Sequence, residues 1–112
     1  MQNANIKAIK PKAEIFKALG HPARLLMVDE LSHGNRCVCE LQRLVGSDIS
    51  TVSKHLRILR NLGIVRTHKQ GTQVIYELQL NCLGTFMQCV EHFLDTRFDH
   101  EIRPKSHGSP SI

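Results

Sequence analysis

A chain of 112 residues is long enough for one domain with a modest hydrophobic core. Its formal net charge of +5 and its pI of about 9.3 favour a polyanionic partner such as nucleic acid. Tryptophan is absent and aromatic residues make up 4 %, which argues against a protein that binds single strands by base stacking.

The sequence also argues against a membrane or secreted protein. No apolar run approaches the roughly 18 residues of a membrane span, and lysines interrupt the start of the chain, where a signal peptide needs a continuous apolar segment. We therefore expect a cytoplasmic protein without a membrane partner. Its four cysteines are then expected to be reduced, in metal-binding, reactive or core roles rather than in structural disulfides.

The first third of the chain predicts a flexible arm followed by two helices. The arm covers residues 1–10, and the first helix begins near Pro11 and stops at Gly20. Pro22 then restarts the chain at the first position of a second helix, which ends near Gly34.

The stretch from residue 37 to residue 76 predicts a helix-turn-helix. A short helix over residues 38–45 ends at Gly46, and a second helix is capped by Asp48 and stopped by Gly63. The apolar stripe of the second helix consists of Ile49, Val52, Leu56 and Leu59. Its opposite face has hydroxyls, an amide and cations but no carboxylate, which suits phosphates and base edges. That face consists of Ser50, Thr51, Lys54, Arg57 and Asn61.

A β-hairpin with basic residues near its tip follows. Residues 64–67 and 73–78 are rich in branched and aromatic side chains, with turn residues between them. The predicted fold is therefore mainly α with a β-hairpin wing, a winged helix-turn-helix, over residues 11–100. Its order is four helices, two strands and a fifth helix. We expect contacts with double-stranded DNA from Ser50, Thr51, Ser53, Lys54, His55, Arg57, Arg66, His68 and Lys69.

A last helix over about residues 81–98 carries an apolar seam. Cys82, Phe86, Cys89 and Phe93 alternate at four- and three-residue spacing, as in a coiled coil. Together with the first helix, this seam predicts a homodimer, the alternative being that both helices pack on their own domain. Residues 101–112 predict a disordered tail.

Cys37 and Cys39, here called the cysteine pair, open the short helix of the helix-turn-helix. Cys37 takes the cap position and Glu40 the third helical position of a capping box. The helix N-terminus and Arg36 should both favour thiolate at the pair. Side chains two positions apart in a regular helix diverge by about 200°. The pair could therefore chelate an ion only if the first turn is irregular or unwinds, and the alternative is that both cysteines are small buried residues.

Two further cysteines lie on the last helix. Cys82 and Cys89 are about 10.5 Å apart along it, too far to bond to each other. Either could supply a third thiolate to the pair, meet its symmetry mate or pack in the seam. Three thiolates suit a soft ion and argue against magnesium or calcium. The candidate metal ligands are Cys37, Cys39, Cys82 and Cys89.

Between residues 18 and 94 these motifs resemble the ArsR/SmtB family of metal-sensing repressors. The resemblance is carried by Ala18-Leu-Gly-His-Pro-Ala-Arg24-Leu, by the box Cys37-Val-Cys39-Glu-Leu41, by residues 50–59 and by the hairpin that ends at Tyr76. It implies a homodimeric winged helix-turn-helix that represses an operon until an inducer releases it from its DNA operator. The cysteine box resembles the branch that senses arsenic, antimony, cadmium and lead, so As(III) or another soft metal ion is the expected inducer.

The chain departs from that branch in its further ligands. Lead- and cadmium-type sensors add cysteines on an N-terminal arm, and the arm of this chain has none. Gln42 occupies the place of a third cysteine in the best-known arsenic sensors, so a third thiolate would come from Cys82 or Cys89. An alternative within the fold is a thiol-redox-sensing repressor with a disulfide between Cys37 or Cys39 and Cys82 or Cys89. An enzyme is not expected, because the pair is C-x-C rather than C-x-x-C and no acid–base constellation accompanies it.

Overall fold

The computed structural model describes the backbone of residues 2–102 and the side chains of residues 4–97. Over these residues the helices are α1 (Gln2–Leu19), α2 (Pro22–Leu31), α3 (Val38–Val45), α4 (Ile49–Asn61) and α5 (Leu83–Ile102). The strands are β1 (Arg36–Cys37), β2 (Val65–Gln70) and β3 (Gln73–Leu78). The predicted winged helix-turn-helix is confirmed, with α3 and α4 as its helix pair and β2 and β3 as its wing. Within the described part of the chain, no helix is long and apolar enough to cross a membrane.

The chain divides into two compact units, and the single domain over residues 11–100 stays a prediction. The first unit ends at Asn81 and holds every element from α1 to β3. The second begins at Cys82 and holds α5. A long terminal helix forms its backbone bonds within itself, which accounts for its separation as a unit. Because α5 runs to Ile102, the predicted tail of residues 101–112 is wrong at its first two residues, and the rest of that prediction lies outside the described residues.

The first helix is longer than the sequence predicted. It begins at Gln2, so the prediction of a flexible arm is wrong for residues 2–10, and Pro11 lies inside the helix. Pro11 has no N–H to donate to the carbonyl of Lys7, four residues earlier in the helix. Both residues are exposed, so water can reach that carbonyl. Ile6 and Ile9 extend the apolar side of the helix that continues at Phe16, which gives the added turns a reason to form.

The core of the first unit is made by apolar side chains from α2, α3, α4 and the sheet. Its fully buried members include Met27, Val28, Leu41, Val52, Leu56, Leu59 and Val65. Three of the four residues predicted as the α4 stripe are among them. The prediction is wrong for Ile49, which is 47 % exposed because it is the first residue of the helix, beside the Asp48 cap.

The turn between α3 and α4 is fixed by the residues that the sequence indicated. Gly46 ends α3 in the left-handed conformation, with φ +82°, and its N–H donates to the carbonyl of Gln42 at 2.8 Å. Asp48 caps α4 by accepting from the backbone N–H of Thr51 at 2.9 Å. This short turn sets the direction of α4 relative to α3.

The sheet contains a strand that the sequence did not predict. Its order is β1-β3-β2, all antiparallel. β2 and β3 form the predicted hairpin, with Gln70 opposite Gln73 around a two-residue turn. β1 pairs Cys37 with Ile75 of β3. A two-residue strand is too short to show the alternation by which strands are recognised, so only the fold reveals it.

Arg24 of α2 connects the end of α1 to α4. Its Nε donates to the carbonyl of Ala18 at 2.7 Å, and its Nη1 lies 3.3 Å from Nδ1 of His55. The ring of His55 is 4.4 Å from the ring of His21, whose Nδ1 accepts from the N–H of Ala23 and so caps α2. A guanidinium can only donate, so Nδ1 of His55 accepts and its imidazole is neutral.

The surroundings of His55 favour this neutral form. Partial burial first, and then electrostatic interactions with His21 and with the Arg24 guanidinium, hold the pKa of His55 below its ordinary value of 6.5. Below that pH the unfolded chain takes up a proton at this position while the folded chain resists it. The stability contributed by neutral His55 is therefore present above pH 6.5 and is lost as the pH falls towards the lowered pKa.

We predict that the free energy of unfolding decreases from about pH 7.5 to about pH 5.5, and that His55→Gln removes part of the decrease. Glutamine does not titrate, and its carbonyl oxygen can accept from Arg24. Urea denaturation at both pH values measures the effect, with His33→Gln as a control that removes a histidine outside the Arg24 cluster. An identical pH slope in wild type and His55→Gln would contradict the assignment.

Candidate DNA interface and cysteine centre

The outer face of α4 carries four of the nine residues predicted to contact DNA. Ser50, Thr51, Lys54 and Arg57 are exposed, as is Asn61 at the end of the helix. Lys54 and Arg57 lie one turn apart and supply the positive charge of this face, while Ser53 is half-buried beside it.

The carboxylate of Asp48, the predicted cap of α4, lies at the start of this face. Asp48 accepts from the N–H of Thr51 and from the hydroxyl of Ser50, at 2.9 and 3.3 Å. These bonds, the Thr51 N–H first among them, lower the pKa of Asp48, so it stays ionised. In the first turn of α4, Ser50 therefore donates to the Asp48 cap, and the positive charge of this face comes from Lys54 and Arg57.

His55 has a packing role that the sequence did not indicate. It was predicted as a DNA contact because it lies within the reading helix. In the structure it is half-buried, and its Nδ1 faces Arg24. Arg24 and His21 are thus the neighbours of His55 that the sequence analysis did not identify. The signal available for them was their place in the Gly20-His-Pro-Ala-Arg24 segment that restarts the chain.

The three basic wing residues are exposed but do not form one cluster. Side chains alternate along a strand, so Arg66 and His68 share a face of β2 and Lys69 lies on the other. Arg66 is opposite Glu77 of β3, and its Nε lies 3.2 Å from Oε1 of that carboxylate. The wing therefore brings less uncompensated charge to one surface than the sequence suggested.

The cysteine pair is brought together because its two residues lie on either side of a helix start. Cys37 is the N-cap of α3 and has an extended backbone, with φ −85° and ψ 166°. Cys39 is the second residue of the helix. Their Sγ atoms are 2.8 Å apart. The 200° divergence predicted for two helical side chains does not apply, because Cys37 lies outside the helix. The two sulfurs therefore meet while the first turn of α3 stays intact.

The two thiols have different surroundings. Cys37 is buried and Cys39 is exposed. The contact with the Cys39 thiol is the largest influence on Cys37 and raises its pKa. The predicted thiolate character is therefore wrong for Cys37 in the free protein. Arg36, which was expected to favour it, instead donates from Nε to Oε2 of Glu30 at 2.8 Å.

The backbone around the pair is also fixed. The N–H of Cys37 donates to Oε1 of Glu40 at 2.9 Å, which is the carboxylate half of the predicted capping box. This bond lowers the pKa of Glu40. The same residue pairs with Ile75 of β3. The Cys37 backbone is thus held by both the helix-turn-helix and the wing.

Cys82 and Cys89 are exposed and are considered within their own unit. Cys89 lies on α5 and projects towards the side that carries Phe86, Val90 and Phe93, whereas Cys82 immediately precedes the helix. Over the described side chains, no group of three or more histidines, cysteines, aspartates or glutamates is arranged to hold a metal ion. The cysteines whose sulfurs the structure brings into contact are the two of the cysteine pair.

Comparison with known proteins agrees with this architecture. Residues 21–67, from the His21 cap to β2, match the family model described as bacterial regulatory protein, arsR family. The crystal structure of the transcriptional repressor BigR from Xylella fastidiosa superposes with a TM-score of 0.70 at 29 % identity, over 83 % of this chain and 95 % of that one.

Two relatives extend the likeness in sequence. The cadmium resistance transcriptional regulatory protein CadC homolog of Staphylococcus aureus is 42 % identical over 67 residues, which is 59 % of this chain and 55 % of that protein. The chain thus spans little more than half of that relative. An uncharacterised HTH-type transcriptional regulator of Methanocaldococcus jannaschii is 43 % identical over 65 residues, 57 % of this chain and 73 % of that protein. The chain therefore belongs to the arsR family of bacterial regulatory proteins.

Proposed function

We propose that this protein is a DNA-binding transcriptional repressor that a thiophilic ion, As(III) or another soft metal ion, releases from its operator. The observation that carries the proposal is the cysteine pair, with two sulfurs 2.8 Å apart at the start of a helix-turn-helix. Soft thiolates select soft ions. The names of two similar proteins, a cadmium resistance regulator and a transcriptional repressor, support the same function. Since a repressor acts on DNA, we place it in the cytoplasm.

The reading of DNA falls to α4. Its exposed face is basic at Lys54 and Arg57 and polar along its length, and its opposite face is anchored in the core by Leu56. A helix held in this way by an apolar stripe can enter a major groove without losing its packing. Wing residues His68 and Lys69 add contacts to the backbone of the duplex.

The inducer site connects to both DNA-binding elements through Cys37. A bound ion fixes Sγ of Cys37 and Sγ of Cys39, and the backbone of Cys37 is tied to β3 of the wing and to the first turn of α3. Displacement of that backbone changes how the wing and α4 are presented together. Release then requires that the free energy of ion binding differ by about 1–3 kcal/mol between the free protein and the DNA-bound protein.

A complete three-thiolate site needs Cys82 or Cys89 as well. Both belong to α5 or its start, and both are exposed. We propose that one of them supplies the third ligand. Cys89 shares a face of α5 with Phe86 and Val90, so a third ligand at Cys89 would lie on the surface that we propose for dimer formation.

The assembly we propose is a homodimer formed by α1 and α5. On α5 the side chains of Val90, Phe93 and Leu94 are 37 %, 58 % and 43 % exposed. On α1, Ile6 and Ile9 are more than half exposed. Exposed apolar surface on each of these helices is typical of interaction sites, and a two-fold dimer presents two reading helices to the two halves of an operator.

For DNA binding, we predict that Lys54→Ala and Arg57→Ala each weaken operator affinity. If each removes one phosphate contact, the slope of log K against log[salt] should shrink by about 1. Titration of labelled operator at several salt concentrations measures this. Lys12→Ala, which removes an exposed charge from α1, is the matched control and should bind as the wild type does. Unchanged affinity in both α4 variants would exclude α4 as the reader.

For assembly, we predict that Val90→Glu shifts the protein towards monomers, because it would bury a carboxylate in an apolar interface. Gln88→Glu introduces the same charge about 200° away around α5 and should leave the dimer intact. Sedimentation velocity over a range of concentrations reports both. A wild-type protein that stays monomeric at all concentrations would rule out the dimer.

For induction, we predict that Cys37→Ser and Cys39→Ser bind the operator but are not released by As(III). Serine caps a helix at least as well as cysteine, so α3 is preserved. In the wild type, As(III) should weaken operator binding by about 5–150-fold. Cys82→Ser and Cys89→Ser, measured beside them, identify the third ligand. Normal release from a Cys37→Ser/Cys39→Ser double variant would move the inducer site away from the pair.

A further inference from the structure

The two members of the cysteine pair differ in access while their sulfurs almost touch. Sγ of Cys37 and Sγ of Cys39 are 2.8 Å apart, with Cys37 6 % exposed in the core and Cys39 exposed at the surface. A disulfide has an S–S distance of about 2.05 Å, so the sulfurs need to approach by less than about 1 Å. Because Cys37 has an extended backbone and precedes the helix, its side chain is not held at the helical angle from Cys39.

We propose that the cysteine pair is itself a redox modification site, in which a hydroperoxide closes a reversible disulfide between Cys37 and Cys39. This bond lies within one turn of the chain and differs from a disulfide that would join the pair to Cys82 or Cys89. Its regulatory consequence rests on the proposed function, because the disulfide removes the two thiolates that would bind the inducer.

The unequal exposure assigns a role to each sulfur. Cys39 is accessible, so its thiolate attacks the hydroperoxide, breaks the O–O bond and becomes a sulfenic acid, and the alcohol or water leaves. The buried Cys37 thiol then loses its proton and attacks Sγ of Cys39, which expels water as the S–S bond forms. In total two thiols and one hydroperoxide give one disulfide, one alcohol and one water.

The structure indicates what the disulfide leaves unchanged. The bond from the Cys37 N–H to Glu40 and the pairing of Cys37 with Ile75 involve backbone atoms that the disulfide does not use. The reading face at Lys54 and Arg57 belongs to another helix. The oxidised protein therefore still binds DNA but no longer responds to soft ions. An oxidant would maintain repression instead of relieving it.

Digestion with trypsin distinguishes this disulfide from its competitors. Cleavage after Arg36 and Arg43 places Cys37 and Cys39 in one peptide, residues 37–43, whereas Cys82 and Cys89 share the peptide of residues 70–97. Full-length protein is treated with stoichiometric hydrogen peroxide, alkylated and digested. We expect peptide 37–43 to lose the mass of two hydrogen atoms, to resist alkylation and to recover both thiols with dithiothreitol. A cross-link between peptides 37–43 and 70–97, or no oxidation of peptide 37–43, would overturn the proposal.

Single variants test the order of attack. Cys37→Ser should accumulate a sulfenic acid at Cys39 that dimedone traps, and Cys39→Ser should give far less dimedone adduct at Cys37. The Cys82→Ser/Cys89→Ser double variant should still close the disulfide, because neither residue takes part. Failure of that double variant to oxidise at peptide 37–43 would contradict the local bond.

A last measurement connects the bond to regulation. Operator titrations compare reduced and peroxide-treated wild type, each with and without As(III). We expect equal affinity of the two forms without As(III), and loss of the about 5–150-fold weakening by As(III) in the oxidised form only. Release of DNA by peroxide alone would overturn the regulatory consequence. If As(III) does not weaken operator binding by the reduced protein, the inducer proposal fails. The mass of peptide 37–43 still shows whether the disulfide forms.

Discussion

The extended backbone of Cys37 is the constraint on which the centre of this molecule depends. One residue ends β1, caps α3 and places its sulfur against that of Cys39. If Cys37 were helical, its side chain and that of Cys39 would point about 200° apart. Its N–H would also be unavailable to Glu40 in the present geometry. The site and the start of the helix-turn-helix are therefore consequences of the same φ and ψ.

The second anchor is Arg24, which connects three helices with one side chain. Its bonds to the carbonyl of Ala18 and to Nδ1 of His55 join the end of α1 to α4 beside the buried Leu56 and Val52. A guanidinium can hold several acceptors at fixed angles, so it suits such a junction better than an ammonium. The apolar core determines that α4 packs, and Arg24 contributes to how it is oriented.

Uncompensated positive charge is distributed unequally between α4 and the wing. On α4 the cations face solvent without a carboxylate partner among the described ion pairs, whereas Arg66 of the wing is paired with Glu77. Exposed pairs of this type contribute little to stability. The Arg66–Glu77 pair lowers the net charge of the wing, so the positive charge of Lys54 and Arg57 on α4 is the larger uncompensated charge. The wing is also connected to the cysteine pair, because β3 pairs with β1 at Cys37.

The sequence by itself determined the elements whose signals are local. The apolar spacing of Val52, Leu56 and Leu59, the Asp48 cap and the glycine stops defined α4 and its turn, since helix periodicity and caps need only near neighbours. The tertiary structure decided what depends on distant segments. It paired β1 with β3, turned His55 towards Arg24, and extended α1 through Pro11. It also brought Sγ of Cys37 and Sγ of Cys39 together, because the conformation of Cys37 is set by a strand that lies almost forty residues further along the chain.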